Sequence, residues 1–328
     1  MRVEETRFIY IMGRGHSGST ALDGLLGNAR DCFGAGELIP GLEPDIPLCS
    51  CGETIETCPF WQPIKTRLCD PDPTRWRPLI TNLIAQATIR RFLRTFWMRF
   101  DDPQKRSLVD DNRALLEAIA EQANARSVVD STKEITRGLF LARFLPSSRI
   151  IHLVRHPEST AESLVRRMNI GTGYKFQGTR YFNQSLTPLF VAMMSATWTI
   201  GNLLCEIVRW TAPDRVMRVE YETLAADPVT TLERVCRFLE LDGTEMIGRV
   251  ERGETLAMGH KIGGNGMRMQ HEFRFHAATT STNAQGTDSD RGLPPLYRWI
   301  CRLLTWPLLW RYGYLWSASP VGTRAGSS

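Results

Sequence analysis

Short apolar runs alternate with amphipathic segments over most of the chain. The runs are rich in β-branched and aromatic residues, which favour strands, and each run precedes a segment with helical periodicity. The predicted strands are residues 7–12, 127–130, 149–154 and 215–219, and the predicted helices are residues 20–26, 134–145, 158–168 and 229–241. Because strands that alternate with helices pair in parallel, the pattern predicts an α/β fold whose parallel sheet carries helices on both faces.

Three segments depart from this alternation. Residues 40–106, rich in Pro, Cys, Trp and Arg, form an insertion that we expect to be irregular and to cap the functional site. Residues 271–291 are polar and predict a loop, whereas residues 296–316 are apolar with three arginines and predict a terminal helix packed on the protein rather than a membrane span. We therefore expect one domain with a cap insertion, followed by a flexible tail at residues 317–328.

The composition narrows the classes of function. The chain has 328 residues, of which 42% are hydrophobic, so it can bury a substantial core. We find no charge-free run of about 18 apolar residues and no secretory signal pattern, which predicts a cytoplasmic protein. A net charge of +5 suits an anionic ligand but is too small and too dispersed to indicate nucleic-acid binding.

Residues 89–100 mix arginines with aromatic and aliphatic side chains in a helical pattern. We interpret them as a helix that buries one face in the protein. Contact with an anionic carbohydrate, a lipid surface as a peripheral membrane protein, or a partner is the alternative. The oligomeric state is not readable from the sequence.

A glycine-rich loop joins the first predicted strand to its helix. Its sequence is Gly13-Arg14-Gly15-His16-Ser17-Gly18-Ser19-Thr20. Backbone N–H groups and the dipole of a helix N-terminus bind anions at such a place. Gly13 and Gly18 have the spacing of a nucleotide P-loop, but Ser19 stands where that motif needs its phosphate-binding lysine. The loop therefore predicts a P-loop-like fold that binds a different phosphate ester, with a tight turn that binds nothing as the alternative.

The loop and the later blocks of the chain resemble the sulfotransferases that use 3′-phosphoadenosine 5′-phosphosulfate. The resemblance is to the bacterial type, which is related to the tyrosylprotein and polysaccharide sulfotransferases. It rests on residues 13–27 with Gly-Ala-Gly-Glu at 34–37, on residues 128–133 with 150–157 and Ser163, and on residues 218–224 with a helix ending at 239. Together these blocks extend the resemblance over about residues 7–40 and 126–270.

The resemblance implies a donor site with two anion-binding parts. The loop would hold the 5′-phosphosulfate, and Arg155 with Ser163 would hold the 3′-phosphate, for which an arginine fork and a hydroxyl are well suited. Without the loop, Arg155 would be read as a surface arginine and Ser163 as a buried helical serine. The residues implied in donor binding are Arg14, Gly15, His16, Ser17, Gly18, Ser19, Thr20, Arg155, Ser163, Tyr221, Asn265 and Arg268.

The same resemblance implies three catalytic residues. Lys133 matches the family's catalytic lysine and would stabilise charge on the leaving phosphate; the alternative is a surface lysine at a helix start. His16 stands where many relatives carry lysine or arginine, so either His16 or Arg14 would polarise the sulfate. Glu37 matches the base that accepts the acceptor's proton, or it only interacts with a helix dipole. Asp130 either orients Lys133 or ends a strand.

These residues together predict transfer of a sulfuryl group to a hydroxyl or amine acceptor, with no metal required for the chemistry. The acceptor class stays open between carbohydrate, lipid, peptide and small molecule. One alternative function is a nucleotide kinase or NTPase with a degenerate P-loop. The other is a protein that binds adenosine bisphosphates without catalysing transfer.

Several cysteines cluster near the start of the insertion. Cys49 and Cys51 form a C-x-C-G pattern, and Cys58 follows in a C-P pattern that we also associate with bacterial sulfotransferases. Close thiols hold either zinc or a disulfide, but zinc sites usually use C-x₂-C pairs and a cytosolic disulfide is disfavoured. We therefore expect a structural staple rather than a catalytic role, with the spacing arguing against zinc at these three positions. The remaining apolar-context cysteines, Cys205, Cys236 and Cys301, are predicted to fill the core.

Overall fold

The structure is a computed structural model that describes residues 6–42, 48–99, 101, 103–162, 187–275 and 293–314. Ser163, the tail at residues 317–328 and most of the polar segment at residues 271–291 lie outside the described residues. The following description concerns the described residues.

A parallel sheet of five strands forms the centre of the protein, in the order β2-β3-β1-β4-β5. The strands are β1 (Arg7–Gly13), β2 (Cys32–Gly36), β3 (Ser127–Lys133), β4 (Ser148–Val154) and β5 (Val216–Glu220). Each of the four neighbouring pairs is parallel. The four strands that the sequence predicts are confirmed. The edge strand β2 was missed because its sequence, CFGAG, is short and contains two glycines, which weaken a strand signal.

Helices cover both faces of this sheet, which confirms the predicted α/β architecture. They are α1 (Ser19–Leu26), α2 (Leu38–Gly41), α3 (Trp61–Leu68), α4 (Trp76–Ala87), α5 (Phe92–Trp97), α6 (Pro103–Gln122), α7 (Ile135–Phe144), α8 (Thr187–Thr211), α9 (Tyr221–Ala226), α10 (Pro228–Leu239), α11 (Thr244–Glu251) and α12 (Pro295–Arg311). A further helical segment begins at residue 157 and reaches the end of the described range at residue 162. A small antiparallel pair joins β6 (Leu256–Ala257) to β7 (Glu272–Phe273).

The central strand β1 shows how the sheet separates two apolar cores. Phe8, Tyr10 and Met12 enter the core that packs against α3 to α8, whereas Ile9 and Ile11 enter the core beneath α1, α10 and α11. Side chains of a strand alternate between faces, so a strand buried on both faces must be apolar at consecutive positions. This requirement explains the continuous apolar run at the start of the chain.

The insertion at residues 40–106 is largely helical, so the expectation of an irregular segment was wrong. It contains α3, α4 and α5, and α6 begins within it. The prolines suggested irregular structure, but three of them lie in the first turns of helices. Pro63 and Pro78 are each the third residue of their helix, and Pro103 is the first residue of α6. In the first helical turn a proline costs no hydrogen bond, because the N–H groups there have no partner within the helix.

The arginine-rich segment at residues 89–100 forms one turn of 3₁₀ helix and then the short helix α5. Phe92 is buried there, while Leu93 and Trp97 are 69% and 76% exposed. The prediction of a helix with one buried face is therefore confirmed, although the helix is shorter than the pattern suggested.

The long helix α8 contradicts the statement that the chain has no charge-free run of about 18 apolar residues. Its residues Pro188–Thr211 are long and apolar enough to cross a membrane by length and composition, and 44% of the most apolar stretch is buried. The stretch contains serine, threonine and asparagine among its apolar residues, so it is not a continuous apolar run in the sequence. The buried Asn202 and Glu206 of α8 contact His152 in β4, so the helix belongs to the packed protein. Helix α12 packs beside α8 and buries Leu308 and Leu309, as predicted for the terminal segment.

Candidate functional site

The glycine-rich loop lies at the carboxyl edge of the sheet, between the end of β1 and the start of α1. His16 and Gly18 both adopt left-handed backbone conformations, with φ values of 66° and 93°. Gly18 is the N-cap residue of α1, and a glycine has no side chain that could accept a hydrogen bond from the first N–H groups of that helix. A Cβ atom at Gly18 would overlap the ring of Tyr221, so the close approach also requires glycine there. The loop thus presents a helix N-terminus that a ligand can cap.

Arg155 follows β4 and reaches the same loop. Its Nη1 donates to the carbonyl of His16 at 3.1 Å, and its guanidinium lies 5.0 Å from the centroid of the Tyr221 ring. The Arg155 Nε and the Ser17 hydroxyl are both buried without a hydrogen-bond partner among the residues that the structure describes. Buried polar groups almost always have partners, so this pair indicates that the site binds a polar ligand or water. Ser163, the predicted companion of Arg155, lies outside the described residues.

Lys133 and Glu37 form an ion pair, with side chains that are 19% and 16% exposed. Lys133 ends β3 in a left-handed conformation (φ 74°), and Glu37 immediately follows β2. The two strands are neighbours and parallel, so their carboxyl ends meet. The structure therefore brings together two residues that the sequence had singled out separately. Lys133 is a partly buried, paired lysine rather than a surface lysine at a helix start.

Glu134, which sequence reasoning missed, adds a third charged group beside this pair, on a residue that is exposed overall. Partial desolvation raises the pKa of its carboxyl group above the ordinary value and the nearby Glu37 raises it further, while Arg14 and Lys133 act in the opposite direction. Its backbone carbonyl accepts a hydrogen bond of 2.8 Å from the Tyr10 hydroxyl. Glu134 is adjacent to Lys133 in the sequence, but only its charged neighbours Arg14, Lys133 and Glu37 distinguish it from other exposed glutamates.

Asp130 acts on the fold of this corner rather than on Lys133 directly. Its carboxylate accepts hydrogen bonds from the Thr132 N–H at 2.9 Å and from Arg137 Nε at 2.8 Å, and both charged side chains are buried. The Thr132 hydroxyl in turn accepts the Ile39 N–H at 3.2 Å. Asp130 therefore fixes the end of β3 against α2, and so sets the positions of Lys133 and Glu37 indirectly.

Arg14, the second residue of the loop, contacts helix α8. Its side chain packs so closely on Gly201 of α8 that a Cβ atom at Gly201 would overlap it. It is also near enough to Glu134 to lower that residue's pKa. The remaining loop residues Ser17, Ser19 and Thr20 are buried at the start of α1.

The segment at residues 260–269 borders both parts of the site. Ile262 pairs with β2 through its N–H to Ala35 and its carbonyl to the Glu37 N–H, at 2.9 Å and 2.7 Å. A Cβ atom at Gly264 would lie 3.5 Å from the Thr20 hydroxyl and 3.6 Å from a carboxylate oxygen of Glu37. From the sequence we expect this segment to close over the nucleotide; in the structure it lies beside the glycine-rich loop.

The two residues predicted from this segment make local contacts. Arg268 donates from Nη2 to the Leu48 carbonyl in the insertion at 3.1 Å, and its Nε is buried without a partner among the described residues. The Asn265 side chain accepts the Met267 N–H at 3.0 Å. Neither of these hydrogen bonds involves the glycine-rich loop.

Lys261 is a buried cation that sequence reasoning missed. It is 2% exposed and forms an ion pair with the fully buried Asp23 of α1, and it donates to the Gly34 carbonyl at 2.9 Å. Asp23 also accepts the Gly36 N–H at 3.1 Å. Because the partners are 238 residues apart, no local pattern relates them. The pair fastens the segment at residues 260–269 to α1 and β2.

Three cysteines and one histidine could hold a metal ion next to this segment. The ligand atoms of Cys49, Cys51, Cys58 and His260 all lie within 4.8 Å of one another. The sequence had identified the cysteines but not His260, which is 202 residues from Cys58.

Fold and site together define a P-loop-like α/β protein with a glycine-rich loop at a helix N-terminus and a paired lysine and glutamate at the carboxyl edge of its sheet. The model of the sulfotransferase family matches residues 9–245, well over half of the chain. The chain therefore belongs to the sulfotransferase family. Comparison with curated protein sequences gives no match.

Three solved structures are similar to this chain. The sulfotransferase domain of the curacin biosynthetic pathway is 19% identical, with 93% of this chain and 98% of that chain covered and a TM-score of 0.46. Sulfotransferase STF1 of Mycobacterium tuberculosis is 18% identical, with coverages of 75% and 72% and a TM-score of 0.46. The sulfotransferase domain of the Synechococcus PCC 7002 olefin synthase is 20% identical, with coverages of 75% and 78% and a TM-score of 0.41.

Proposed function

We propose that this protein transfers a sulfuryl group from 3′-phosphoadenosine 5′-phosphosulfate to a hydroxyl or amine acceptor. The observation that carries the proposal is the meeting of Arg155 with the glycine-rich loop, where the Ser17 hydroxyl and the Arg155 Nε are buried without described partners. A ligand with two separated phosphate groups suits a site that combines a helix N-terminus with an arginine fork. The family membership supports the same reaction class.

The loop residues and Arg155 divide the work of binding. Backbone N–H groups at the start of α1 hold the 5′-phosphosulfate, helped by the Ser17, Ser19 and Thr20 side chains. Arg155 and Ser163 hold the 3′-phosphate, and the ring of Tyr221 supports the Arg155 guanidinium from one side. Rigid support of this kind keeps the donor oriented, which is a large part of catalysis in group transfer.

Lys133 and Glu37 carry the chemistry. When bound, the donor supplies the sulfuryl group. The Lys133 ammonium stabilises the negative charge that develops on the departing phosphate oxygen, and the Glu37 carboxylate accepts the proton of the acceptor. Their ion pair supports this assignment, because it puts the cation and the base in the same place.

His16 is the loop side chain that we assign to the sulfate. Arg14, the alternative, has its side chain packed on Gly201 of α8. His16 stays half-buried beside the loop backbone that Arg155 contacts. An imidazole there donates a hydrogen bond in either protonation state.

Isothermal titration with adenosine 3′,5′-bisphosphate tests the donor site. The protein is expected to bind the bisphosphate at micromolar concentration and to bind Mg²⁺-ATP more weakly. Arg155→Ala and Ser163→Ala should each weaken bisphosphate binding by about tenfold or more, since a charge-assisted contact contributes roughly 1.5–3 kcal/mol. Arg149→Ala is the matched control, because Arg149 lies toward the opposite end of β4 in a partly exposed ion pair with Glu240.

Preference for Mg²⁺-ATP would instead identify a nucleotide kinase or NTPase and refute the proposal. Tight bisphosphate binding without transfer to any member of an acceptor panel would identify a non-catalytic binder. The panel includes carbohydrate, lipid, peptide and small-molecule acceptors, with release of the bisphosphate as the common readout.

A further inference from the structure

Cys49, Cys51, Cys58 and His260 converge from two distant parts of the chain. The three cysteines lie in the loop that precedes α3, and His260 lies just before the segment that borders the candidate active site. We propose that these four side chains bind a structural zinc ion, a site that is separate from the donor site and independent of the proposed reaction.

The distances between the ligand atoms match a zinc site. With Zn–S bonds of about 2.3 Å and Zn–N bonds of about 2.0 Å, tetrahedral geometry separates two sulfurs by about 3.8 Å and a sulfur from a nitrogen by about 3.5 Å. The Cys51 and Cys58 sulfurs lie 3.6 Å apart. The His260 Nδ1 lies 3.5 Å from the Cys49 sulfur and 3.4 Å from the Cys58 sulfur.

The chemistry of the four ligands also favours zinc over other occupants. Three thiolates and one imidazole form a closed set of soft and borderline donors, which is the typical composition of a structural zinc site. A disulfide between Cys51 and Cys58 would use only two of the four groups. It would leave the convergence of Cys49 and His260 on the same point without an explanation.

The surrounding backbone holds the ligands in this arrangement. Gly52 adopts a left-handed conformation (φ 90°) and donates its N–H to the Cys49 carbonyl at 2.8 Å, which closes a tight turn around Cys51. The His260 carbonyl accepts a hydrogen bond of 3.0 Å from the Trp61 indole, and its ring stacks on Phe60. These contacts fix the ring and the thiols without using His260 Nδ1, so they support the metal-binding groups from outside.

The zinc ion would fasten the cap to the segment beside the active site. Ser50 and Lys261, each adjacent to a ligand, exchange hydrogen bonds of 2.8 Å and 2.9 Å, and Ile262 bridges both Cys49 and β2. The same segment continues to Gly264, next to Glu37. Loss of the metal should therefore loosen this part of the protein first.

Metal analysis of the purified, untagged full chain tests the proposal. We expect about one zinc per chain by elemental mass spectrometry, in keeping with one closed four-ligand site. Cobalt-exchanged protein should show thiolate-to-cobalt charge transfer and the visible bands of tetrahedral cobalt. His260→Ala, Cys58→Ser and Cys51→Ser should each lose the zinc. Cys51→Ser is the mildest of these changes because Cys51 is half-buried, so it still tests the site if the other two variants fail to fold.

Matched controls remove a cysteine or a histidine outside the cluster. Cys69→Ser and His271→Ala should keep the full zinc content. Chelation should lower the thermal midpoint of the wild type by more than about 5 °C, the shift expected for a few kcal/mol in a chain of this size, and leave Cys51→Ser unchanged. Substoichiometric zinc in the wild type after purification with zinc present, equal zinc in Cys51→Ser, or a Cys51–Cys58 disulfide in non-reducing peptide mapping would each overturn the proposal.

Discussion

Lys133 and Glu37 meet because their backbones end neighbouring parallel strands, and the left-handed backbone of Lys133 (φ 74°) sets the direction of its side chain. A non-glycine residue in this conformation costs free energy that the surrounding structure must supply. Here the buried Asp130, with its hydrogen bond to Thr132 and its ion pair with Arg137, holds the strand end. Such strain is typical of functional sites, where position matters more than stability.

At the residue scale, we predict that Lys133→Ala and Glu37→Gln separate catalysis from donor binding. Lys133→Ala should lower kcat by about 10²-fold or more, because it removes charge stabilisation of the leaving group. Glu37→Gln should lower kcat by roughly 10²–10⁴-fold and remove the rise of rate with pH that a carboxylate base causes. Bisphosphate release with an identified acceptor measures kcat, and isothermal titration measures binding.

Lys65→Ala is the control for these variants, because Lys65 forms an ion pair with Glu56 in the cap. It should keep the wild-type kcat. An unchanged pH profile in Glu37→Gln would contradict the role of Glu37 as base and favour its interaction with the dipole of α2 instead.

At the element scale, the junction of β1 and α1 depends on one glycine. Gly18 combines a left-handed conformation with close contact to the Tyr221 ring at the start of α9. The loop, α1 and α9 are therefore fitted to each other at a single point. A side chain at this position would disturb the helix N-terminus that we assign to the donor's phosphosulfate.

We predict that Gly18→Ala lowers both stability and bisphosphate affinity. The left-handed conformation alone costs alanine about 1–2 kcal/mol, and the overlap with Tyr221 forces a further shift. The thermal midpoint should fall by several degrees, and affinity should fall at least about tenfold by titration. Gly15→Ala is the control for stability, because a Cβ atom at Gly15 meets nothing within 4 Å. Equal midpoints for the two variants would refute the argument.

At the scale of the whole molecule, a buried polar network joins the sheet to α8. His152 of β4 is fully buried, its Nε2 lies 3.0 Å from the Asn202 Oδ1, and its Nδ1 lies 3.8 Å from Glu206. Burial lowers the pKa of His152 to about 4, against the opposing effects of Asn202 and Glu206. Burial alone would raise the pKa of Glu206, but the neighbouring side chains, among them Arg209 with its hydrogen bond and Arg218, lower it by more.

This network predicts how stability depends on pH. The folded protein holds His152 neutral, while the unfolded chain protonates it below its ordinary pKa of about 6.5. The part of the stability that depends on keeping this histidine neutral is therefore fully present above that pH. It is lost as the pH falls from about 6.5 toward about 4. Burial also lowers the pKa of His156, which acts in the same direction. Urea unfolding between pH 7.5 and pH 4.5 should show the decline.

His152→Gln tests the source of this decline. The variant should be less stable at neutral pH but should lose less stability on acidification than the wild type, because one of the groups that takes up a proton on unfolding is gone. His271→Gln, which changes an exposed histidine, should keep the full pH dependence. An equally steep decline in His152→Gln would show that other groups control acid unfolding.

The sequence by itself determined the elements whose signals are local. Apolar runs in the sequence predicted strands β1, β3, β4 and β5. The spacing of glycines between a strand and a helix identified the loop from Gly13 to Thr20. Their positions in a parallel sheet follow from the alternation of strands and helices, so the fold class was predictable. The buried cysteines Cys205, Cys236 and Cys301 were predictable for the same reason, because each lies in an apolar pattern.

Only the tertiary structure decided the features that depend on distant partners. Strand β2 is rich in glycine because Asp23 and the buried Lys261 lie too close to its backbone for a side chain at Gly34. These contacts with distant residues accompany a strand that its own sequence does not predict. The insertion at residues 40–106 folds into helices because its apolar side chains pack into the same core as the sheet. Composition alone does not show this packing. Likewise, His260 joins the cysteines, and Lys133 meets Glu37, through contacts between residues that lie far apart in the sequence. Local propensity carries no information about such pairs, because the energy that selects them is realised only when the chain is folded.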